Sequence, residues 1–349
     1  MAERGTIYDA LPPYYGGKRK LTAAIFALAP GPEKAPVFFD GFLGGGSVAL
    51  TAKARGYRVI ANDLALRSAV VGKAVIENNR TLLQNADIAW LLWEAEHRES
   101  DAFIRAHFCP DVFLSKHADF LDRAFAVVRG MPEGPKRALL TLLLVKYIFY
   151  LRPYSKFSSP NAFNIPMEER LIDSIKDRTY KQAIKAALKP IPEALQELMV
   201  AVNRGVIDNA RQNVVLQMDI LDALGQVEAD VAYFDPPYAG TLAYEQEYHV
   251  LDQILEHRLF KPETSRFTIR DGMTFLDEVF ARAAHIPMWI ISMGNAKGQN
   301  NLVDLVRLVE RHRPAKAYSL HYRHIPAVAT KDHQANCREW LVVGKAMLQ

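Results

Sequence analysis

Cysteine is almost missing from this chain. Its 349 residues include only Cys109 and Cys337, with no second Cys or spaced His cluster beside either, which excludes a disulfide framework and a structural zinc site and predicts a reducing, cytoplasmic setting. Long apolar runs are also missing. The longest, Ala138 to Leu151, is short for a bilayer and carries Lys146, and Met1 to Gly5 opens no apolar signal segment. Neither secretion nor a membrane span is expected. No sign of charge dominates, with 43 Lys and Arg against 39 Asp and Glu and a formal net charge of +4. There is no internal repeat and no low-complexity tract. Half the residues are apolar, the composition of a soluble globular protein, and the length predicts about two domains.

What charge there is lies unevenly. Between Arg129 and Arg211 the chain has 14 Lys and Arg against 8 Asp and Glu, so the basic excess belongs to one segment. That segment suits a polyanion partner, or it is an ordinary solvated helical surface, since Ile175 to Leu188 spaces its lysines helically. Within it, Tyr150 to Pro166 is non-periodic, basic and aromatic, a mixture that can contact phosphates and stack on bases. Arg152, Lys156 and Asn161 are its candidate target contacts.

The most unusual stretch is Val231-Ala232-Tyr233-Phe234-Asp235-Pro236-Pro237-Tyr238, an apolar strand pattern stopped by two prolines that cannot extend a ladder. The prolines stiffen a corner that offers the Asp235 carboxylate, the Pro236 carbonyl and the ring of Tyr238. Two acceptors beside an aromatic plane suit the exocyclic amine of adenine or cytosine. The plainer alternative is a tight proline turn in which Asp235 caps the next segment.

Further motifs sit upstream. Val37 to Leu50 reads as strand, glycine loop and helix, with Asp40 ending the strand and Gly44, Gly45, Gly46 and Ser47 opening the loop and helix. Three glycines let a ligand approach the backbone, as in the first turn of a nucleotide-binding βαβ unit. No Gly-Lys-[Ser/Thr] follows, so a triphosphate is not implied. Tyr57 to Asp63 reads as a second strand ending in an acid, which could bind ribose hydroxyls or cap the next helix. Val214 to Asp219 repeats the pattern, with Asp219 an acceptor for a cofactor adenine and Ile220 packing on its face. Tyr14-Tyr15-Gly16-Gly17-Lys18 precedes a predicted helix from Leu21 to Leu28, and could approach an anion or form a simple turn. Leu64 to Arg129 reads as mostly helical, with Trp90 and Trp93 expected in a helix core. His285 to Ser292 and Glu339 to Val343 read as closing strands, with a helix from Asn301 to Arg311 between them.

Taken in order, Tyr-Tyr-Gly-Gly-Lys, Phe-Phe-Asp-Gly-Phe-Leu-Gly-Gly-Gly-Ser-Val, Asn-Asp, Ala-Phe-Asn-Ile-Pro, Met-Asp-Ile and Asp-Pro-Pro-Tyr resemble the D12 class, Dam-like group of DNA adenine N6-methyltransferases. The resemblance implies an α/β, Rossmann-like S-adenosylmethionine-dependent methyltransferase sheet with an inserted, mostly helical target-recognition region. Residues 1-80 and 212-349 would form the catalytic domain and 81-211 the insert. It assigns Tyr14 and Lys18 to the methionine part of the cofactor, with the loop of Asp40, Gly44, Gly46 and Ser47, and Asp63 to the ribose. Asp219 and Ile220 go to the cofactor adenine, and Asp235, Pro236, Pro237 and Tyr238 to the target base. Two departures stand out: the run Gly44-Gly45-Gly46 is richer in glycine than the family pattern, and Asp63 to Ala162 has no match.

The reaction so implied is methyl transfer from S-adenosylmethionine to the N6 amine of an adenine flipped out of double-stranded DNA, with no metal. A cognate restriction enzyme or another protein could accompany it. The same corner suits N4-cytosine or RNA adenine methylation, and a catalytically silent DNA-binding subunit could keep the fold.

Overall fold

The computed structural model describes residues 5–14, 16–151, 178–237, 244–261, 267, 272–294, 301–321 and 338–346. The chain divides into two compact units, one of Met1–Tyr14, Val70–Asp208 and Glu247–Lys261, the other of Tyr15–Ala69, Asn209–Gln246 and Pro262–Gln349.

The second unit is built on a seven-stranded sheet. Its strands are β1 (Val37–Asp40), β2 (Arg58–Asn62), β3 (Val214–Leu216), β4 (Val231–Phe234), β5 (Met288–Gly294), β6 (Ala315–His321) and β7 (Arg338–Lys345). They lie in the order β3-β2-β1-β4-β5-β7-β6. The first five are parallel, and β7 runs antiparallel between β5 and β6. All four residues of β4 and all seven of β5 are buried, which is why these strands read as continuous apolar runs and not as alternating ones. The strand order reverses between β1 and β4, and the carboxyl edge at such a reversal is where open α/β sheets bind ligands.

The strand period of two assigns the faces. Phe39, Ala232, Phe234, Trp289, Ile291 and Val342 share a core with Val279 and Phe280 of helix Gly272–Arg282 and Leu305 and Val309 of helix Leu302–Glu310. Phe38, on the opposite face, packs at 5.3 Å from Phe26 of helix Thr22–Leu28. Towards the carboxyl edge, that second face carries the polar residues Asp40, Tyr233, Asp235, Ser292 and Glu339.

The first unit is helical. Its central helix, Pro135–Leu151, buries 11 of its 17 residues, so its near-continuous apolar pattern marks a core helix. Lys146, the single charge between Ala138 and Leu151, is satisfied by donating to the carbonyls of Asp9 at 2.6 Å and Leu11 at 3.2 Å. Asp122 serves another helix end by accepting from the Ile104 and Arg105 amides at 2.6 and 2.9 Å. Trp90 and Trp93 are not core residues: they are 38% and 57% exposed. Helix Asn85–His97 turns Ile88, Leu91 and Ala95 inward, a stripe at i, i+3 and i+7 that leaves the tryptophans on the other side. Among the described residues no helix is long and apolar enough to cross a membrane.

His117 is 1% exposed and joins three helices. One ring nitrogen pairs with the Tyr147 hydroxyl at 2.7 Å and the other with the Ala187 carbonyl at 3.0 Å. Burial, helped by the charge of Lys116, depresses its pKa from 6.5 to about 4. The unfolded chain therefore takes up a proton that the folded chain refuses, and stability falls as pH drops from 6.5 towards 4. The melting temperature of the wild type is expected to fall more steeply across that window than that of His117→Gln; parallel slopes would refute this linkage.

Candidate active site

β4 stops at Phe234, and Asp235-Pro236-Pro237 leave the sheet at its carboxyl edge. The missing proline N–H groups end the ladder there. Asp235 keeps 18% of its side-chain surface exposed, and its Oδ1 lies 2.9 Å from Nζ of Lys18, itself 3% exposed. The same ammonium lies 3.4 Å from Oε1 of the fully buried Glu339 and donates to the Gly16 carbonyl at 3.0 Å. Ser292 on β5 donates to Glu339 Oε1 at 2.7 Å. Residues from near the two ends of the chain thus meet under one corner.

Beside this corner, β1 ends at Asp40 in register with Tyr233. The Gly41 amide donates to the Tyr233 carbonyl at 3.0 Å. A Cβ at Gly41 would lie 3.1 Å from side-chain atoms of Ile220 and Phe234, a tight fit at the turn out of β1. Gly44 and Gly46 then take left-handed φ of 49° and 79°, open to glycine at little steric expense. Gly46 is the cap position of helix Ser47–Ala54, whose first residue is buried. The loop is pinned to β2: Asp63 accepts from the Gly44 amide at 2.8 Å through one oxygen and from the Ala65 amide at 2.9 Å through the other.

Asp40 is 1% exposed. Burial first, then the negative charges of Asp235 and Asp63, push its pKa up to about 8, against the partial relief of the Phe42 and Ala49 amides. Its Oδ1 has no hydrogen-bond partner among the described residues. Tyr233 is pushed well above its ordinary value, by burial and then by Asp235, with smaller contributions from Asp40 and Glu339. In both groups burial dominates, and the charge of Asp235 adds to it.

The structure brings Lys18, Asp40, Gly44, Asp63 and Asp235 together at one edge of the sheet unit. Asp219 caps helix Ile220–Leu224, accepting from the Leu221 amide at 2.9 Å, and Ile220 is buried in the sheet core at 4% exposure. Tyr14 belongs to the helical unit, where its ring stacks on Tyr248 at 5.1 Å. Tyr238, Arg152, Lys156 and Asn161 lie outside the described residues. Glu339, Ser292 and Tyr233 enter the site unannounced. The available signal is a lone acid opening the apolar stretch Trp340 to Val343, since a buried charge needs a buried partner.

A mixed sheet of this order, with a glycine loop after β1 and an Asp-Pro-Pro corner after β4, is consistent with a methyltransferase fold. The chain belongs to the D12 class N6 adenine-specific DNA methyltransferase family, which matches residues 14–262. It is 23% identical over 335 residues to the Type II methyltransferase M2.HphI of Haemophilus parahaemolyticus, covering 94% of this chain and 95% of that one. To the Type II methyltransferase M.NlaIII of Neisseria lactamica it is 24% identical over 340 residues, covering 93% and 96%. The protein is thus an adenine-specific DNA methyltransferase, and its family implies use of S-adenosylmethionine. The residues present fit that group: left-handed glycines leave the loop backbone approachable, and an unpartnered, buried Asp40 oxygen suits a cationic ligand.

Asp63→Ala deletes two carboxylate-to-amide bonds and leaves the loop tied to β2 through the Leu43 amide and the Asn62 carbonyl. It is expected to lower stability by about 1–3 kcal/mol, measured by urea denaturation; an unchanged midpoint would show that the loop holds without it.

Proposed function

We propose that Asp235 and the Pro236 carbonyl receive the N6 amine of an adenine flipped out of double-stranded DNA, and that methyl transfer happens at this corner. The position of Asp235, held by Lys18 at the end of β4 next to the Asp40 loop, carries the reading. An adenine inside a duplex cannot present N6, so flipping comes first, at an unstacking penalty of a few kcal/mol. Tyr238, by its place in the sequence, offers a ring to offset it. The N6 lone pair is delocalised into the base. Hydrogen bonds from N6 to Asp235 and Pro236 return density to the nitrogen and aim it. S-adenosylmethionine, when bound, supplies an electrophilic methyl on a positively charged sulfur, and the C–S bond pair stays with sulfur as the neutral thioether of S-adenosylhomocysteine. A methylated N6 that still holds both its hydrogens is strongly acidic, so even a lysine-paired carboxylate such as Asp235 can accept the proton.

In this reading Asp40, Gly44, Gly46 and Ser47 line the methionine part of the cofactor, and Lys18 acts through Asp235. Asp63 serves the ribose, and Asp219 with Ile220 the adenine. Tyr14 contributes from the neighbouring motif. The helical segment 81-211 is read as the inserted target-recognition region, supported by the basic excess between Arg129 and Arg211; Arg152, Lys156 and Asn161 would make its contacts. The Type II naming of the relatives supports the modification half of a restriction-modification pair in the cytoplasm, with a cognate endonuclease as partner.

Incubating the protein with S-adenosylmethionine and unmethylated DNA, then digesting to nucleosides for mass spectrometry, should yield N6-methyladenine. Asp235→Ala should reduce it by at least about a thousandfold, well beyond the roughly tenfold that the loss of one unit charge takes from cofactor affinity; near-normal turnover would overturn the assignment. N4-methylcytosine, methylation of RNA alone, or a chain that binds DNA silently would each replace it.

Asp40 supplies a second test. With its pKa at about 8 it is mostly protonated at neutral pH, and a cation bound beside it displaces that proton. Affinity for S-adenosylmethionine should therefore rise between roughly pH 7 and pH 9, and Asp40→Asn should flatten the profile in calorimetric titrations. A wild-type profile already flat would remove Asp40 from the cofactor site.

A further inference from the structure

Glu339, the second residue of β7, has its side chain fully buried. A buried carboxylate survives only with a cation and hydrogen bonds around it. Glu339 has Lys18 at 3.4 Å and the Ser292 hydroxyl at 2.7 Å. Lys18 in turn stands between Glu339 and Asp235, with the Gly16 carbonyl as a further acceptor. An ammonium paired with Asp235 alone would hold that carboxylate in place but would also cancel its charge. One ammonium shared between two carboxylates holds Asp235 and leaves the cluster one negative charge in excess. Burial is the main reason that Asp40 and Tyr233 have raised pKa values, and the charge of Asp235 adds to both.

We propose that Glu339 is a positioning residue for methyl transfer: from behind the corner it offsets Lys18, so that Lys18 orients Asp235 without neutralising the site. Such a site favours a cationic methyl donor over the neutral thioether that remains after transfer, and so favours release of the product. Attraction of this kind operates over short distances in a poorly solvated site, where one unit charge changes affinity by an order of magnitude. The inference rests on the assignment of Asp235 to the amine.

Glu339→Gln keeps the size and a hydrogen-bonding oxygen for Ser292 and removes only the charge. In the full-length protein, calorimetric titration with S-adenosylmethionine and with S-adenosylhomocysteine should show the preference for the charged ligand falling about tenfold. kcat should fall at least about tenfold while KM for DNA changes less than about twofold. A merely structural role would weaken both ligands alike. Lys18→Met combined with Glu339→Gln removes the buried pair together and leaves Asp235 its charge. In that variant the ligand preference should return towards the wild-type ratio even though turnover stays low. If Glu339→Gln does not fold, this double variant carries the test alone, and a collapsed ratio there overturns the proposal. So do equal losses for both ligands in Glu339→Gln, or kcat within about twofold of wild type. A wild type that forms no Asp235-dependent N6-methyladenine overturns the reading of Asp235 and this inference with it; an active wild type with an indifferent Glu339→Gln overturns this inference alone.

Discussion

The constraint on which the site depends is the burial of one ammonium. Lys18 lies almost wholly out of water, and an unpaired charge there would cost several kcal/mol. The fold answers with carboxylates from two distant strands, Asp235 just beyond β4 and Glu339 on β7. A flexible surface lysine would give Asp235 little direction. A buried one fixes it, because the long side chain has already surrendered its rotamer freedom. The rigidity of the Asp-Pro-Pro corner thus comes from two sources: the prolines restrain the backbone, and Lys18 restrains the carboxylate.

The glycine loop answers a different constraint. β1 turns away at Asp40 through Gly41, where Ile220 and Phe234 leave little room for a side chain. Asp63 then ties the loop to the end of β2. Asp63 spends both oxygens on backbone amides, so what it visibly does is shape the loop. Asp40 does the reverse. It is kept buried with an oxygen to spare, a poor choice for stability and a useful one for a cationic ligand.

Much of this was legible in the sequence. β1, β2, β3, β4, β5 and β7 announce themselves as short apolar runs, most plainly β4 and β5, whose burial on both faces leaves no polar alternation. β6 does not. Its residues Ala315 to His321 are all half-buried or exposed, so this edge strand has no apolar signature. Trp90 and Trp93 mislead for a related reason: helical spacing shows that two residues share a face but not which face turns inward. Motif order exposed Asp235, Asp40 and Asp63, each at the end of a strand. The link from Lys18 to Asp235 and Glu339 stayed hidden because no local window spans it. Only the sheet order, which sets β7 beside β5 and β5 beside β4, brings the three side chains together.

β7 has one more consequence. It enters the sheet between β5 and β6, although both precede it in the chain, so β6 has no sheet partner until β7 arrives. The helical unit takes its last segment from Glu247–Lys261, and all its parts have left the ribosome well before Glu339 does. During synthesis, then, the residues of the helical unit are complete while the sheet still lacks the strand that carries Glu339. Pairings of such long sequence separation form slowly. Until the last strand slots in, Lys18 lacks the counter-charge of Glu339 behind it.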